Sequence, residues 1–429
     1  MTYEETIEYL YSHLPMFSRI GAAAYKKDIH NTIELCNVLG NPQDKFKSIH
    51  IAGTNGKGSS SHMLAAMLQH QGYKTGLYTS PHIKDFGERI KINGEMIDRN
   101  FVIEFTERTK TICDEIQPSF FELTVAMAFE YFAANKVDIA IIETGLGGRL
   151  DSTNIIKPIL SIITNIGYDH TNLLGNTLEE IAFEKAGIIK HQTPVVIGEY
   201  LDNTKTIFEK KAATLHSPIL FAEDNYTISE IKNENLLLKC CITDTKNNHT
   251  QNFALDLTGN YQLKNLRTII AAKKILSTLG FDINEENEKY ALSHVKKLTG
   301  LKGRWDIISE APTVIHDVAH NKDGINSLLK QLQDNYSHSN THFVIGFVND
   351  KDISSILELF PKNGTYYFTN AHNARALPHS TLKSLALTHQ LLGESFDNVN
   401  EAILFAKKQS IKNDVIIVCG SFFILGEVD

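Results

Sequence analysis

The chain has 429 residues, a length that exceeds one ordinary hydrophobic core and predicts two or three domains. Its net charge is −8, with acidic and basic residues interspersed, which argues against a broad nucleic-acid-binding surface. No apolar run approaches the roughly 20 residues that a membrane-spanning helix requires.

The N-terminal segment and the cysteines indicate a cytoplasmic protein. The segment MTYEETIEYLYSHL predicts a short amphipathic helix and lacks the positive leader of a signal peptide. The five cysteines are an odd, scattered set without a C-x-x-C pair. This pattern indicates reduced thiols, not a disulfide framework or a zinc site.

The first half of the chain alternates between short apolar runs and longer periodic segments. Helices are predicted at SSSHMLAAMLQHQG, at residues 103–117 and at LTVAMAFEYFAAN, and strands at IHIAG, YKTGLYTS, VDIAIIETG, ILSIITNIG and TPVVIGE. Continuous apolar strands such as VDIAIIETG are typical of parallel sheets that are buried on both faces. We therefore expect an α/β domain with a mostly parallel sheet.

The middle of the chain interrupts this pattern. Residues 218–258 contain short alternating runs broken by Asn, Asp and Lys, which predict a small antiparallel β excursion. The segment YQLKNLRTIIAAKKILSTLG then predicts a helix, and strands restart at PTVIHDVAHN, THFVIGFVND, GTYYFTNA and NDVIIVCGS. We place a domain boundary near residue 297, so that the predicted domains are 1–296 and 297–429.

The loop GTNGKGS, residues 53–59, follows a predicted strand and opens a helix. It is a compressed variant of the P-loop G-x-x-x-x-G-K-[ST], because Ile51 stands where the first glycine belongs and Gly58 separates Lys57 from Ser59. Backbone N–H groups at such a turn can hold phosphate oxygens, and the lysine adds a positive charge. The alternative is a Gly-rich turn without a ligand.

Further polar residues stand at or near other predicted strand ends. Ser80 offers a hydroxyl to Mg²⁺, or belongs to a simple Ser-Pro turn. Glu143 ends a buried strand, where a metal ion, a cation or hydrogen bonds must offset the cost of its charge. His170, after Asp169, is a candidate metal ligand or charge partner, although a lone histidine is more often packed or solvated. Lys185 lies on the following amphipathic helix, where a lysine is usually solvated.

The second half offers a weaker set of candidates. Arg304 lies in GRWD, and Asp317 and His320 lie in HDVAHN, which again ends a predicted strand. An arginine and an aspartate near a domain junction could bind phosphate and ribose.

Taken in order, these motifs resemble one family. GTNGKGS, TSPH with FGERIKING, ETGLGGRLDSTN, GYDHTNLLG, EKAGI, GRWD and DVAHN resemble the folylpolyglutamate synthases, including the bifunctional dihydrofolate synthase type, within the Mur ligase family. The resemblance runs from about Leu14 to GSFFILGE near the C-terminus. It implies a P-loop, Mur-ligase-like ATPase domain with a mostly parallel sheet and a smaller C-terminal Rossmann-like α/β domain.

The resemblance also implies roles for individual residues. Those expected to bind ATP are Thr54, Asn55, Gly56, Lys57, Gly58, Ser59, Asn265, Arg304, Asp317 and His320. Those expected to hold Mg²⁺, as two ions, are Ser80, Glu143 and His170. Those expected to bind the pteroyl substrate are Ser119, Phe120, Phe121, Glu122, Leu150, Asp151 and Ser152. Lys185 matches a lysine that the family carbamylates, and catalysis is expected to depend on Lys57, Glu143, His170 and Lys185.

The implied reaction is ATP-driven ligation of L-glutamate to dihydropteroate or a reduced folate through an acyl phosphate. The implied enzyme is a cytoplasmic monomer without nucleic-acid or membrane partners. Three other hypotheses remain at this point: a Mur-type ligase of a cell-wall precursor, a kinase that stops at phosphoryl transfer, and a non-catalytic nucleotide-binding switch. Only about fifty residues precede the loop, where cell-wall ligases carry a longer domain, and SFFE favours a pterin substrate.

Overall fold

The structure is a computed structural model that describes residues 1–21 and 28–429. These residues form two compact units, the first of Met1–Asp256 with Gln262–Leu301 and the second of Leu257–Tyr261 with Lys302–Asp429. The short segment Leu257–Tyr261 thus belongs to the second unit, whereas a division at residue 297 assigns it to the first. Within the described ranges, every helix falls short of the length or the hydropathy that a bilayer span demands.

The first unit contains an eight-stranded sheet. Its strands are β1 (Lys47–Ala52), β2 (Thr75–Tyr78), β3 (Ile90–Ile92), β4 (Glu95–Met96), β5 (Ile139–Glu143), β6 (Leu160–Ile163), β7 (Val195–Ile197) and β8 (Ile219–Phe221). Their spatial order is β4-β3-β2-β5-β1-β6-β7-β8. The six strands from β2 to β8 in that order are parallel, and β3 and β4 are antiparallel additions at one edge. This confirms the expected mostly parallel sheet.

The helices of the first unit alternate with these strands. They are α1 (Tyr3–His13), α2 (Phe17–Ile20), α3 (His30–Val38), α4 (Lys57–Gln71), α5 (Arg99–Ile116), α6 (Phe120–Ala134), α7 (Thr171–Leu174), α8 (Leu178–Lys185), α9 (Asp202–Thr214), α10 (Ala222–Asn225), α11 (Gln262–Thr278), α12 (Glu285–Leu292) and α13 (Val295–Thr299). Buried apolar side chains of α1, α3, α5 and α6 form one core with β2 and β5.

Side-chain caps explain where two of these helices begin. Helix α5 starts four residues before the predicted Ile103, because the Asp98 side chain accepts a hydrogen bond from the backbone N–H of Asn100. Helix α6 starts after Ser119, which forms a capping box with Glu122. Apolar periodicity does not locate the polar caps Asp98 and Ser119, so the predicted helices begin too late.

A small antiparallel sheet follows in the first unit, as expected for residues 218–258. Its strands are β9 (Tyr226–Glu234), β10 (Leu237–Asp244) and β11 (Thr250–Leu255), in the spatial order β11-β10-β9.

The second unit is a smaller α/β layer built on a six-stranded sheet. Its strands are β12 (Asp306–Glu310), β13 (Thr313–His316), β14 (Thr341–Ile345), β15 (Thr365–Phe368), β16 (Gly393–Ser395) and β17 (Val415–Cys419). Its helices are α14 (Lys322–Tyr336), α15 (Ile353–Leu357), α16 (His379–Thr388), α17 (Val399–Gln409) and α18 (Phe422–Gly426). The spatial order is β12-β13-β17-β14-β15-β16, in which β12 alone pairs antiparallel within the described sheet. This confirms a separate C-terminal α/β domain.

Candidate active site

Polar residues of the first unit gather where its central parallel strands end. Ser80 follows β2, Glu143 is the last residue of β5, and residues 53–59 follow β1. The register pairs Ile51 of β1 with Glu143. Because β2, β5 and β1 are parallel neighbours, these groups lie together at the carboxyl ends of the strands, here called the sheet edge. Proteins with α/β sheets place their ligands at this end of the strands.

The loop of residues 53–59 turns directly into α4. Gly56 has a φ of 82°, which favours glycine, and a Cβ at this position would collide with Oδ1 of Asn265. The N–H of Ser60 donates to the carbonyl of Gly56 over 2.9 Å. The N–H groups of residues 57–59 precede this first helical bond, so the helix itself offers them no acceptor. They form a cradle that suits phosphate oxygens.

The end of β6 fixes the shape of this loop. The Thr164 hydroxyl donates to the carbonyl of Asn55 over 2.6 Å, and the N–H of Asn55 donates to Oδ1 of Asn165 over 2.9 Å. The Thr54 hydroxyl donates to the carbonyl of Gly167 and accepts from its N–H, both over 3.0 Å. The loop is therefore held in place before any ligand arrives.

Two lysines meet at one carbonyl of the loop. Nζ of Lys57 donates to the Gly53 carbonyl over 3.1 Å, and Nζ of Lys185 donates to the same oxygen over 3.0 Å. Within residues 1–21 and 28–429, no carboxylate forms an ion pair with either lysine. Burial, followed by the positive charge of Lys57, lowers the pKa of Lys185 to about 7. Part of the Lys185 amine is therefore neutral near pH 7, and a neutral amine is a nucleophile.

The predicted nucleotide contact Asn265 reaches the loop together with a residue that the sequence motifs do not single out. The fully buried Gln262 donates from Nε2 to Oγ of Ser59 over 3.1 Å, and Nδ2 of Asn265 donates to Oε1 of Gln262 over 2.8 Å. The only sequence signal is the i, i+3 spacing of the two amides on one face of α11.

Glu143 and Ser80 come together at the sheet edge. The Glu143 side chain is only 4% exposed, and its Oε2 accepts from the N–H of Ser80 over 3.2 Å. A carboxylate beside a hydroxyl offers the oxygen donors that Mg²⁺ prefers, so these residues fit a divalent cation. Among the residues that the structure describes, no three His, Cys, Asp or Glu side chains gather closely enough to hold a metal by themselves.

His170 lies in the loop between β6 and α7. Its φ is 50°, and its backbone N–H donates to Oδ1 of Asp169 over 2.8 Å. Its Nε2 lies 3.9 Å from the same carboxylate, and its ring meets the ring of Phe17 edge-on, with centroids 5.7 Å apart. The imidazole beside an acid suits a metal ligand or a charge partner.

Ser119 and Glu122, which the resemblance assigns to the pteroyl substrate, bind each other at the start of α6. The Ser119 N–H donates to Oε2 of Glu122 over 2.6 Å, and the Glu122 N–H donates to the Ser119 hydroxyl over 3.2 Å. Nδ2 of Asn31 donates to the same carboxylate over 3.3 Å. Their contacts in the structure cap the helix, and their role toward a substrate stays a prediction.

The two phenylalanines between them differ in exposure. Phe120 is buried, with its ring centroid 5.6 Å from that of Tyr11. Phe121 is half-buried, lies 6.2 Å from the Tyr78 ring, and packs so closely on Gly145 that a Cβ there would collide with it. Phe121 therefore places an aromatic ring beside Gly145, just after the end of β5.

Asp151 organises its own loop. Its Oδ2 accepts from the N–H of Leu146 over 2.7 Å, and its Oδ1 accepts from the N–H and the hydroxyl of Thr153 over 3.0 and 2.5 Å. Burial raises the pKa of this carboxyl above its ordinary value. Leu150 is half-buried and Ser152 is buried on either side of it.

In the second unit, Asp317 is buried at the end of β13 and hydrogen-bonded on both oxygens. Its Oδ2 accepts from the Tyr261 hydroxyl over 2.7 Å and from the Trp305 N–H over 2.9 Å, and its Oδ1 accepts from the Ala319 N–H over 2.8 Å. Burial raises the pKa of this carboxyl. The carboxylate therefore joins three segments of its own unit.

Arg304 and His320 share one aromatic ring in the second unit. The Arg304 guanidinium lies 5.2 Å from the ring centroid of Phe422, and the His320 ring lies 5.8 Å from it. Nη1 of Arg304 also donates to the carbonyl of Gly303 over 3.1 Å. Both side chains remain partly accessible to solvent.

Comparison with known protein families matches both halves of the chain. Residues 51–273 match the Mur ligase middle domain, and residues 303–422 match the Mur ligase glutamate ligase domain.

Individual proteins are similar over nearly the whole chain. Folylpolyglutamate synthase of Lacticaseibacillus casei is 31% identical over 100% of this chain and 98% of its own length. Escherichia coli FolC, solved in complex with DHPP and ADP, superposes with a TM-score of 0.86 at 27% identity, over 99% of this chain and 96% of its own. The bifunctional folylpolyglutamate synthase/dihydrofolate synthase of Yersinia pestis, solved with AMPPNP and a Mn ion, gives 0.84 at 26% identity, over 99% and 97%.

Proposed function

We propose a mechanism for this chain, which belongs to the Mur ligase family, among the folylpolyglutamate and dihydrofolate synthases. It is an ATP-dependent ligase that joins L-glutamate to a folate-type substrate. Nucleotide and a divalent metal ion are its cofactors. The single observation that carries the residue assignments is the loop of residues 53–59, whose N–H cradle adjoins two lysines without ion-pair partners in the described part of the chain.

The proposed first step is phosphorylation of the pteroyl acid. An oxygen of its carboxylate attacks the γ-phosphorus of ATP, the bond from that phosphorus to the bridging oxygen breaks, and ADP leaves with the electron pair. Two anions must meet for this step, and their repulsion opposes it. Lys57 and the N–H groups of residues 57–59 offset that repulsion because they point fixed positive charge at the phosphates.

In the second step the glutamate amine captures the acyl phosphate. Its nitrogen attacks the carbonyl carbon, the bond to the phosphate oxygen breaks, and the nitrogen loses its proton. Inorganic phosphate and an amide result. A kinase would stop after the first step, so the release of phosphate in step with an amide separates the two hypotheses.

We propose that Ser80 and Glu143 at the sheet edge, together with His170 after β6, hold the metal as Mg²⁺ and as two ions. When bound, the metal neutralises phosphate charge and helps to hold the nucleotide. The Glu143 carboxylate beside the Ser80 hydroxyl supports this assignment, because hard oxygen donors suit Mg²⁺.

We propose that Lys185 is carbamylated. Its neutral amine would attack CO₂, form a carbamate and release a proton, which turns a cation into an anion at the loop. Its burial beside Lys57 supports this because both favour the neutral amine. Intact-mass measurement in bicarbonate should show the gain of one CO₂, lost on acidification and absent in Lys185→Met.

The remaining roles follow the family. We propose that Thr54, Asn55, Ser59 and Asn265 bind nucleotide in the first unit, and that Arg304, Asp317 and His320 bind it from the second. We propose that residues 119–122 and 150–152 bind the pteroyl group, which the half-buried aromatic ring of Phe121 beside Gly145 supports. We further propose that the chain acts as a monomer in the cytoplasm.

One incubation tests the proposed substrates. Purified protein receives ATP, Mg²⁺ and L-glutamate with dihydropteroate or with a reduced folate, and products are identified by mass. We expect glutamate to be added to at least one acceptor with equal release of ADP and phosphate. If neither acceptor gains glutamate, the proposed function is wrong.

A further inference from the structure

Arg89 is a buried cation at the same sheet edge. It immediately precedes β3, which runs antiparallel to β2, and its carbonyl accepts from the N–H of Thr79 over 3.0 Å. The start of β3 therefore lies beside the end of β2, and the end of β5 with Glu143 is the next position in the sheet. The Arg89 side chain is only 5% exposed.

The partners of the Arg89 guanidinium are neutral. Its Nε donates to Nδ1 of His82 over 2.7 Å, and the guanidinium lies 5.2 Å from the ring centroid of Phe120. No carboxylate in the described ranges lies within ion-pair distance of it. A buried cation without a direct ion pair is costly, so a position that keeps one is suited to an anion that arrives with a ligand.

His82 and Tyr11 hold this guanidinium in one orientation. Because Nδ1 of His82 accepts from Arg89, a neutral His82 carries its proton on Nε2, which lies 3.2 Å from the Tyr11 hydroxyl. A chain of hydrogen bonds therefore runs from Tyr11 of α1 through His82 to Arg89.

We propose that Arg89 binds the reacting carboxylate of the pteroyl acid, and that His82 and Tyr11 are positioning residues that aim its guanidinium. This inference rests on the proposed function. The guanidinium lies on Phe120, in the segment assigned to the pteroyl group, and it is near enough to Glu143 for their charges to interact. Lys57 follows β1, which lies on the other side of β5 from β2 and β3. Arg89 would therefore bind the carboxylate on one side of Glu143, and Lys57 would bind the phosphates on the other side.

Binding of a charged and a neutral ligand tests the inference directly. Calorimetry compares the pteroyl acid that the wild type accepts with its primary carboxamide, in wild type and in Arg89→Met, without ATP. We expect the wild type to bind the acid about 10- to 100-fold more tightly than the carboxamide. Arg89→Met should lose this preference and keep its affinity for the carboxamide. The inference is overturned if the preference is absent in wild type or unchanged in the variant.

Two substitutions at His82 separate positioning from packing. His82→Asn keeps an acceptor oxygen for the guanidinium, whereas His82→Ala removes it. We expect His82→Ala to lose most of the preference for the acid and His82→Asn to retain it. Tyr11→Phe should reduce the preference slightly, and the matched Tyr9→Phe on the same helix should leave it unchanged. A full preference in His82→Ala would contradict the positioning role.

A last measurement separates this inference from the proposed function. The Kd of AMPPNP should be the same in Arg89→Met as in wild type, because the proposed ligand is the carboxylate. A loss of AMPPNP affinity instead would assign Arg89 to a phosphate and overturn the inference. The wild-type ligation assay is independent of both results, since a ligase without a charge preference at Arg89 refutes only the inference.

Discussion

Charged side chains near the strand ends have different partners in the two units. In the first unit, Lys57 and Lys185 donate to one carbonyl, and no carboxylate of the described chain pairs with either. In the second unit, Asp317 accepts hydrogen bonds from Tyr261, Trp305 and Ala319 of its own unit.

The contrast predicts different roles: Lys57 and Lys185 serve ligand binding, whereas Asp317 stabilises the fold of its unit. The two lysines repel each other and gain from an incoming polyphosphate, so their loss should reduce activity more than stability. The Asp317 carboxylate already satisfies three donors, so its loss should reduce stability even where no ligand is present. Substitutions in both units test this contrast.

Lys57→Ala should lower glutamate-dependent ADP release about 10²- to 10³-fold, because it removes a fixed positive charge from the phosphate cradle. Its urea midpoint should stay close to wild type. Lys84→Ala, an exposed lysine of the same unit, serves as the control and should keep full activity. Near wild-type turnover in Lys57→Ala would show that catalysis does not depend on Lys57 and its loop.

Glu143→Ala should lower activity about 100-fold at a fixed Mg²⁺ concentration, because a buried carboxylate that suits the metal is lost. A Mg²⁺ titration of both proteins is the measurement. Activity equal to wild type across the whole titration would show that Glu143 is not a metal ligand.

Lys185→Met should change how stability depends on pH. The folded-state pKa of Lys185 is about 7 and the ordinary value is 10.5, so burial destabilises the fold fully below pH 7 and progressively less as pH rises toward 10.5. Relative to Lys185→Met, the wild type should therefore gain about 2 kcal/mol in free energy of unfolding between pH 7 and 9. Urea titrations in CO₂-free buffer measure this, and parallel pH profiles of the two proteins would refute the shift.

Asp317→Asn should destabilise the second unit by about 2 kcal/mol, because an amide NH₂ replaces an acceptor that faces N–H and O–H donors. Urea unfolding without nucleotide is the measurement. Asp334→Asn, on the exposed side of α14, is the matched control and should be neutral. An unchanged midpoint in Asp317→Asn would show that the Asp317 carboxylate does not stabilise the second unit.

Tyr261→Phe should cost about 1 kcal/mol of unfolding free energy, since Asp317 keeps its two backbone donors when the hydroxyl is lost. If activity falls far more than this small loss of stability explains, Tyr261 contributes to the site and not only to the fold.

Local features of the fold and site could be predicted from the sequence. The strand, the Gly-rich turn and the helix around Lys57 are contiguous in the sequence. The apolar run before Glu143 predicts β5. Residues 218–258 likewise carry their alternating pattern within short strands. In each case the signal lies within a few residues of the structure that it predicts.

Long-range contacts could not be predicted in this way. Gln262 and Ser59 are 203 positions apart, and only the packing of α11 against α4 brings them together. The chain of Tyr11, His82 and Arg89 likewise joins α1 to the sheet edge across 71 positions. Motif spacing also does not show that a carboxylate such as Asp151 binds its own loop, because two of its partners are backbone N–H groups and the third is the Thr153 hydroxyl.

The most direct test of the account follows the oxygen of the substrate carboxylate. If a carboxylate oxygen attacks the γ-phosphorus, acceptor labelled with oxygen-18 at its carboxylate must transfer that label to the released phosphate. We predict one labelled oxygen in inorganic phosphate for every amide formed, measured by mass spectrometry. Amide formation with unlabelled phosphate would contradict the acyl-phosphate account.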